Sequence, residues 1–243
     1  MAAQKHSAYF EVRDALAKRG CPICWLAARS VRRFLDGLLY ENVNDPGLRA
    51  AIRAARGFCN THAWQLQAMG GALGLAIIHR DVLTTEMEIL EKSRYRAPAP
   101  LSLQRVQTAL SDSRPAAATA ETVAQLAPQR PCQACQQQRQ IADVYLSTLL
   151  EHLSDIELRD ALRSAGGLCA PHLRRALQLV RDEVTYQALC EAQVAAWRSL
   201  KAELDEFIRK NDYRFASEPM GEEGDSWSRA MAALSAMQGV PWE

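Results

Sequence analysis

Four short hooks of cysteine and histidine restrict what this chain can become more than any other feature in it. Cys21-Pro22-Ile23-Cys24 is answered by Gly57-Phe58-Cys59-Asn60-Thr61-His62, with 34 residues separating Cys24 from Cys59. The arrangement then recurs: Cys132-Gln133-Ala134-Cys135 is answered by Gly167-Leu168-Cys169-Ala170-Pro171-His172, with 33 residues separating Cys135 from Cys169. Six of the seven cysteines and two of the five histidines fall in these hooks. A tetrahedral metal ion takes four ligands, and a gap of two residues lets one hook aim two donors at one ion. Each repeat offers three thiolates and one imidazole, so the spacing points to two metal sites, with Cys21, Cys24, Cys59 and His62 in one repeat and Cys132, Cys135, Cys169 and His172 in the other.

The residues between the hooks read as helices. Apolar positions Leu26, Val31, Phe34, Leu35, Leu38 and Leu39 recur at steps of three and four, with Arg29, Arg32, Arg33 and Asp36 between them. Upstream, Ser7 to about Arg19 reads as a helix that Gly20 ends. Downstream, Asn44-Asp45-Pro46-Gly47 combines a capping side chain with a proline suited to a first turn, which predicts a third helix over 47–56. Such a return helix would bring the two hooks of one repeat together. At about 1.5 Å per residue, helices of roughly 18 and 11 residues span ~27 and ~16 Å, so the shorter must be helped by tilt or by the loop. A fourth pattern runs from Trp64 to Leu90, where Gly70, Gly71 and Gly74 predict a kink or a close helix neighbour.

Residues 95–131 change to Ala, Pro, Gln, Ser and Thr and read as a linker, with a short helix around Leu101 to Leu110. The second repeat follows in register: Phe34 falls on Tyr145, Leu35 on Leu146, Leu38 on Leu149, and, past a one-residue gap, Ile52 falls on Leu162 and Gly57 on Gly167. Core and ligand positions repeat together, which indicates a duplicated folding unit. After His172 an apolar pattern extends to Ile208 as one long helix or two, and Asp225 or Ser226 can cap a last helix ending near Gly239. Strand-like alternation is nearly absent. The reading is an all-α protein with a first module over 1–94, a linker over 95–131, a second module over 132–210 and a tail over 211–243.

Composition sets wider bounds. With 243 residues and 48% apolar, the chain can bury a core without staples, and a formal charge of +1 gives no overall field for nucleic acid. Gly57 to Ile78, the longest apolar run without a charge, carries too many polar residues and glycines to span a membrane. No apolar leader follows the N-terminus, so a cytoplasmic location is expected, and there paired cysteines are metal ligands or redox centres more often than disulfides.

Three thiolates and one imidazole leave no open position for water, which favours structural zinc, two ions in all, over a hydrolytic centre. An iron–sulfur cluster is the alternative. Thiol–disulfide exchange at Cys21 and Cys24 ranks lower, because no βαβ pattern surrounds them and the answering Cys-x-x-His would have no use. Cys190 reads as a buried small apolar group, and His6, His79 and His152 have no counterparts in the repeat. No nucleotide-binding, zinc-protease or serine-hydrolase motif is present, so no catalytic residue is assigned. In the tail, Asp212, Tyr213, Arg214, Glu218 and Trp227 form a mixture of charges and aromatics that could meet a small ligand or a protein partner. Ion pairs locking the tail to the helices are the plainer reading.

Taken together, the hooks and the segment from Lys210 to Trp227 resemble an uncharacterised bacterial and archaeal family of unknown function. Its members carry a Cys-Pro-x-Cys hook, a Gly-Phe/Leu-Cys-x-x-His hook and a C-terminal Lys-x-Asp-Tyr-Arg-Phe followed by Glu and Ser-Trp. The second Cys-x-x-Cys departs from that pattern, since its proline, Pro131, precedes the hook rather than lying inside it. The resemblance implies the fold and the metal ligands and no activity, which leaves a metal-stabilised binding or regulatory module as the expected role.

Overall fold

A computed structural model describes residues 5–95, 119–215 and 217–240, and its described residues contain eleven α-helices and no strand. In chain order these are α1 (Ser7–Leu16), α2 (Pro22–Tyr40), α3 (Pro46–Ala54), α4 (Asn60–Ala68), α5 (Ala72–Lys92), α6 (Ala120–Leu126), α7 (Gln133–Glu151), α8 (Ile156–Ala165), α9 (Ala170–Leu179), α10 (Glu183–Lys210) and α11 (Ser226–Ser235). Single 3-10 turns at Tyr213–Phe215 and Glu222–Asp225 lie between the last two. The all-α expectation holds. The helix expected at Leu101 to Leu110 lies outside the described residues.

Local chemistry sets most boundaries. The Asp45 carboxylate accepts the Leu48 N–H at 2.6 Å and Pro46 occupies the first turn, so α3 begins where a cap and a proline coincide. Asp155 and Asp182 cap α8 and α10 in the same way, accepting from Glu157 and Thr185. The pattern expected from Trp64 to Leu90 divides into α4 and α5, because Gly70 and Gly71 both adopt positive φ, +85° and +76°. Gly74 serves the other purpose: a Cβ there would meet the Leu39 carbonyl oxygen at 3.2 Å, so its absence lets α5 approach the end of α2. Residues 119–127, expected as linker, form α6, whose connection to α7 is held by the Gln129 N–H donating to Ala54 O at 2.8 Å.

The chain divides into two compact units whose boundaries differ from those of the sequence repeats. One unit comprises residues 1–34 and 137–243, the other 35–136. Both divisions fall inside long helices: α2 starts in the first unit and ends in the second, and α7 does the reverse. The modules expected at 1–94 and 132–210 are therefore repeats of sequence that each contribute to both units.

In the first unit one core is assembled from α1, the start of α2 and α7 to α10, with Val12, Ile23, Leu146, Leu149, Leu162 and Leu189 among its fully enclosed side chains. Burying a leucine or isoleucine of this kind stabilises by roughly 1.5–3 kcal/mol. In the second unit Leu35, Leu38, Ile52, Leu66 and Ile78 are buried, and Asp81 on α5 receives Arg49 at 2.5 Å and Arg53 at 3.2 Å from α3. Those guanidiniums, Arg49 foremost, hold the Asp81 carboxyl below its ordinary range.

Candidate metal centres

All four hooks are the same local device. Cys21, Cys59, Cys132 and Cys169 each stand immediately before a helix, and each carbonyl accepts an N–H four residues on, from Trp25, Ala63, Gln136 and Leu173. Cys24, His62, Cys135 and His172 stand third in those helices. A side chain at the cap and one three residues later lie on the same side of the first turn, the relation that a capping box uses. Each hook therefore presents two ligands beside a helix N-terminus, where unpaired N–H groups and the helix dipole favour anionic sulfur.

The structure brings the eight candidate ligands into two clusters that could each hold a metal ion, and their pairing corrects the expectation that each repeat closes on itself. Cys21 and Cys24 meet Cys169 and His172, whereas Cys59 and His62 meet Cys132 and Cys135, with the donor atoms of each cluster within 4.8 Å of one another. The first lies wholly in the first unit and the second wholly in the second. Helix length explains the exchange. With 19 residues α2 spans ~28 Å, while α3, with 9, spans ~14 Å, so the return stops far short of the first hook. Each Cys-x-x-Cys hook instead finds the answering hook of the other repeat.

Distances within the clusters suit a single ion. In the first, His172 Nδ1 lies 3.4 Å from Cys21 Sγ, 3.4 Å from Cys24 Sγ and 3.1 Å from Cys169 Sγ, and the Cys24 and Cys169 sulfurs are 3.6 Å apart. In the second, His62 Nδ1 lies 3.2, 3.3 and 3.7 Å from the sulfurs of Cys59, Cys135 and Cys132, and Cys59 Sγ is 3.5 Å from Cys135 Sγ. Tetrahedral zinc with bonds of about 2.3 Å to sulfur and about 2.0–2.1 Å to nitrogen separates its ligands by about 3.6–3.8 Å. The eight separations given above lie within about half an ångström of that set, and the remaining pairs lie within 4.8 Å. In His62 the inward nitrogen is Nδ1, while Nε2 is buried without a hydrogen-bond partner among the described residues.

Electrostatics differ between the two cysteines of each Cys-x-x-Cys hook. Burial alone would raise the Cys21 thiol, but hydrogen bonds from Cys169, Cys24 and His172 hold it well below its ordinary range. Cys24 is pushed up, first by its hydrogen bonds to Cys169 and Cys21 and then by burial. In the second cluster the hydrogen bond from Cys135 brings Cys132 down to about 3, and Cys135 is raised in return. Within each such hook the cap cysteine is thus the thiol held down and the cysteine three residues on the one pushed up.

The surroundings of the clusters are unequal. Cys24, Cys169 and His172 are buried, and Ala236 and Met237 beyond α11 pack on the sulfurs. In the second cluster only His62 is buried. Gln193 on α10, invisible to motif reasoning because no spacing relates it to the hooks, fixes the answering hook of the first cluster. Its amide donates to Leu168 O at 3.0 Å and accepts from Leu168 N at 2.8 Å, and it is 2% exposed. Replacing Gln193 by Ala is expected to lower stability by ~1–3 kcal/mol, because the Leu168 N–H and carbonyl are left unpaired in the interior. Denaturant unfolding of the metal-loaded protein measures this loss, and a change within error would remove the role assigned to Gln193.

The five tail residues singled out from sequence do not converge. Asp212 pairs with Arg214 at 2.6 Å, Glu218 pairs with Arg209, and Tyr213 and Trp227 present exposed rings. Around them the tail is laced to α10. Lys210 Nζ reaches Glu223 at 2.7 Å and Pro219 O at 3.0 Å, and Arg229 joins Glu203 to Asp225. The Gly221 N–H, followed by Lys210, holds the Glu223 carboxyl down at about 2. Of the remaining histidines, His152 is buried edge-on against Tyr9, with ring centroids 4.7 Å apart, and His79 caps a carbonyl one turn back, that of Leu75. Among the described residues no helix is long and apolar enough to cross a membrane.

Comparison with known proteins assigns no activity. An uncharacterised 23.9 kDa protein encoded in the xynA 3' region of Caldicellulosiruptor sp. (strain Rt8B.4) is 25% identical over 200 residues, which cover 80% of this chain and 83% of the relative. No solved structure matches the chain. The model of the family of unknown function DUF6062 matches residues 4–239, hooks and tail included, and the chain belongs to that family.

Proposed function

We propose that the two clusters hold structural zinc, one ion each, and that the protein is a metal-fastened helical scaffold acting as a binding or regulatory module. The observation that carries this reading is the convergence of two helix N-termini on each set of three sulfurs and one Nδ1, all donor atoms within 4.8 Å. A dication with three thiolates carries net charge −1, and two helix N-termini facing it offset that charge. Four protein ligands complete the coordination, so the ions fasten helices and offer no position for a reacting water. The compactness of each donor set also favours one ion over a cluster, whose own iron and sulfide atoms would hold the cysteines farther apart.

Elemental analysis and an absorption spectrum of protein purified without oxygen test the reading. Two equivalents of zinc per chain in a colourless sample are expected. Iron with inorganic sulfide and a visible charge-transfer band would overturn it in favour of the redox alternative. Metal-free protein with a reversibly titrating Cys21–Cys24 couple would favour thiol exchange instead.

A further inference from the structure

A cavity of ≈ 280 Å³ lies in the first unit beside the first metal centre, bounded by the hook residues Cys21 and Cys24, the 163–169 turn, α10 and α11. That volume is near the lower end of the ~300–1,000 Å³ usual for small-molecule sites. Its inner wall is apolar, with Ala196 and Leu200 from α10 and Ala233 and Met237 from the last helix and its end. Small side chains on both helices keep the space open: the α10 and α11 positions that line it include three alanines.

Apart from the cluster sulfurs of Cys21, Cys24 and Cys169, the charged side chains of the lining are three arginines and one glutamate. Arg229 is 23% exposed and is neutralised by Glu203 and Asp225, so it closes the wall and has little left for a ligand. Arg19 and Arg163 differ. Both line the cavity, and they belong to segments joined by the Gly20 N–H, which donates to Ala165 O at 2.6 Å. Each is about half exposed, and among the described residues each is paired with an exposed carboxylate: Glu222 at 81% and Asp160 at 55%. Exposed pairs of that kind contribute roughly 0–1 kcal/mol and yield readily to a better partner. Two such guanidiniums over an apolar recess match a molecule with a carboxylate at one end and a hydrocarbon body at the other.

We infer that this cavity is a binding site for a small amphipathic carboxylate, its headgroup taken by Arg19 and Arg163 and its apolar body lying between α10 and α11. The ligand would rest against the hook that holds the first metal, so occupancy and the order of that hook are linked. The site goes beyond the structural metal reading and does not depend on it.

Titration calorimetry of the full chain, with metal content measured on the same sample, tests the inference with octanoate and octylamine, which share one hydrocarbon chain and differ in head charge. Saturable one-to-one binding of octanoate and none of octylamine is expected. Arg19→Ala with Arg163→Ala should weaken octanoate at least about tenfold, or ~1.4 kcal/mol. Ala233→Phe, which fills the recess, should abolish binding while thermal melting stays cooperative. If that variant melts early, the exposed arginine pair decides the matter. Absence of saturable octanoate binding in the millimolar range, equal binding of octylamine, or octanoate affinity unchanged in the arginine double variant would overturn the inference. Octanoate binding by protein found to lack metal would leave this site standing and remove the zinc reading; two zinc ions without octanoate binding would do the opposite.

Discussion

Serine at Cys21 and Cys169 together is expected to leave one metal equivalent on the protein, and serine at Cys21 and Cys59 to leave none. The first pair disables one cluster twice; the second disables both clusters once, because Cys21 belongs with His172 and Cys59 with Cys135. Closure within each repeat would give the reverse result, since Cys21 and Cys59 would then share a site. The effect is large: a structural zinc site contributes apparent binding energies of about 10–16 kcal/mol in peptide hosts, and a site that keeps three of its four ligands, or two, is expected to give up its ion on exhaustive dialysis. Elemental analysis after exhaustive dialysis reads the outcome as an integer. The melting temperature should fall further in the Cys21/Cys59 variant than in the Cys21/Cys169 variant, and equal losses in both would remove the crossed assignment.

Chelation of both ions is expected to unfold the second unit before the first. The first unit retains an extensive apolar core without metal, built on α7, α8 and α10. The second has nine buried apolar side chains among its described residues, two of them alanines, and depends on its ion for a larger share of its cohesion. A domain is stable by only about 5–15 kcal/mol, so loss of a fastening of the size given above exceeds what such a core supplies. Hydrogen exchange after verified metal removal should therefore show residues 46–92 losing protection while α7 and α10 keep theirs. Unchanged protection and unchanged melting in metal-free protein would falsify the structural role of both ions.

Sequence revealed the devices better than their partnership. The capping segment at Asp45 and the four hooks could be read directly, and the glycines at 70, 71 and 74 gave a kink or a close neighbour where the chain in fact breaks into two helices, because each of these is decided by residues within a turn or two of one another. The ligand pairing could not, because it depends on where the far ends of α2 and α7 come to rest. The one clue was numerical: a return helix half as long as the outgoing one cannot carry its hook back to the start. Gln193 gave no signal, since a glutamine on a helix face is ordinary until the backbone it clamps is known. In the tail Asp212 pairs with Arg214, Glu218 with Arg209 and Glu222 with Arg19, partnerships that depend on where the chain returns and that no local spacing announces.

The crossed pairing carries a consequence for the origin and synthesis of the chain. A polypeptide with one repeat would hold two half-sites and complete neither, whereas two such polypeptides side by side would complete both. The fold thus has the logic of an exchanged homodimer whose two subunits have been joined end to end through 95–131. During synthesis the same logic sets an order. The Cys59–Cys135 contact spans 76 positions and the Cys24–Cys169 contact 145, so the second cluster can close while the first still waits for its missing half. The later site, whose hooks flank those of the earlier one in sequence, can close only once His172, about seven-tenths of the way along the chain, has been made.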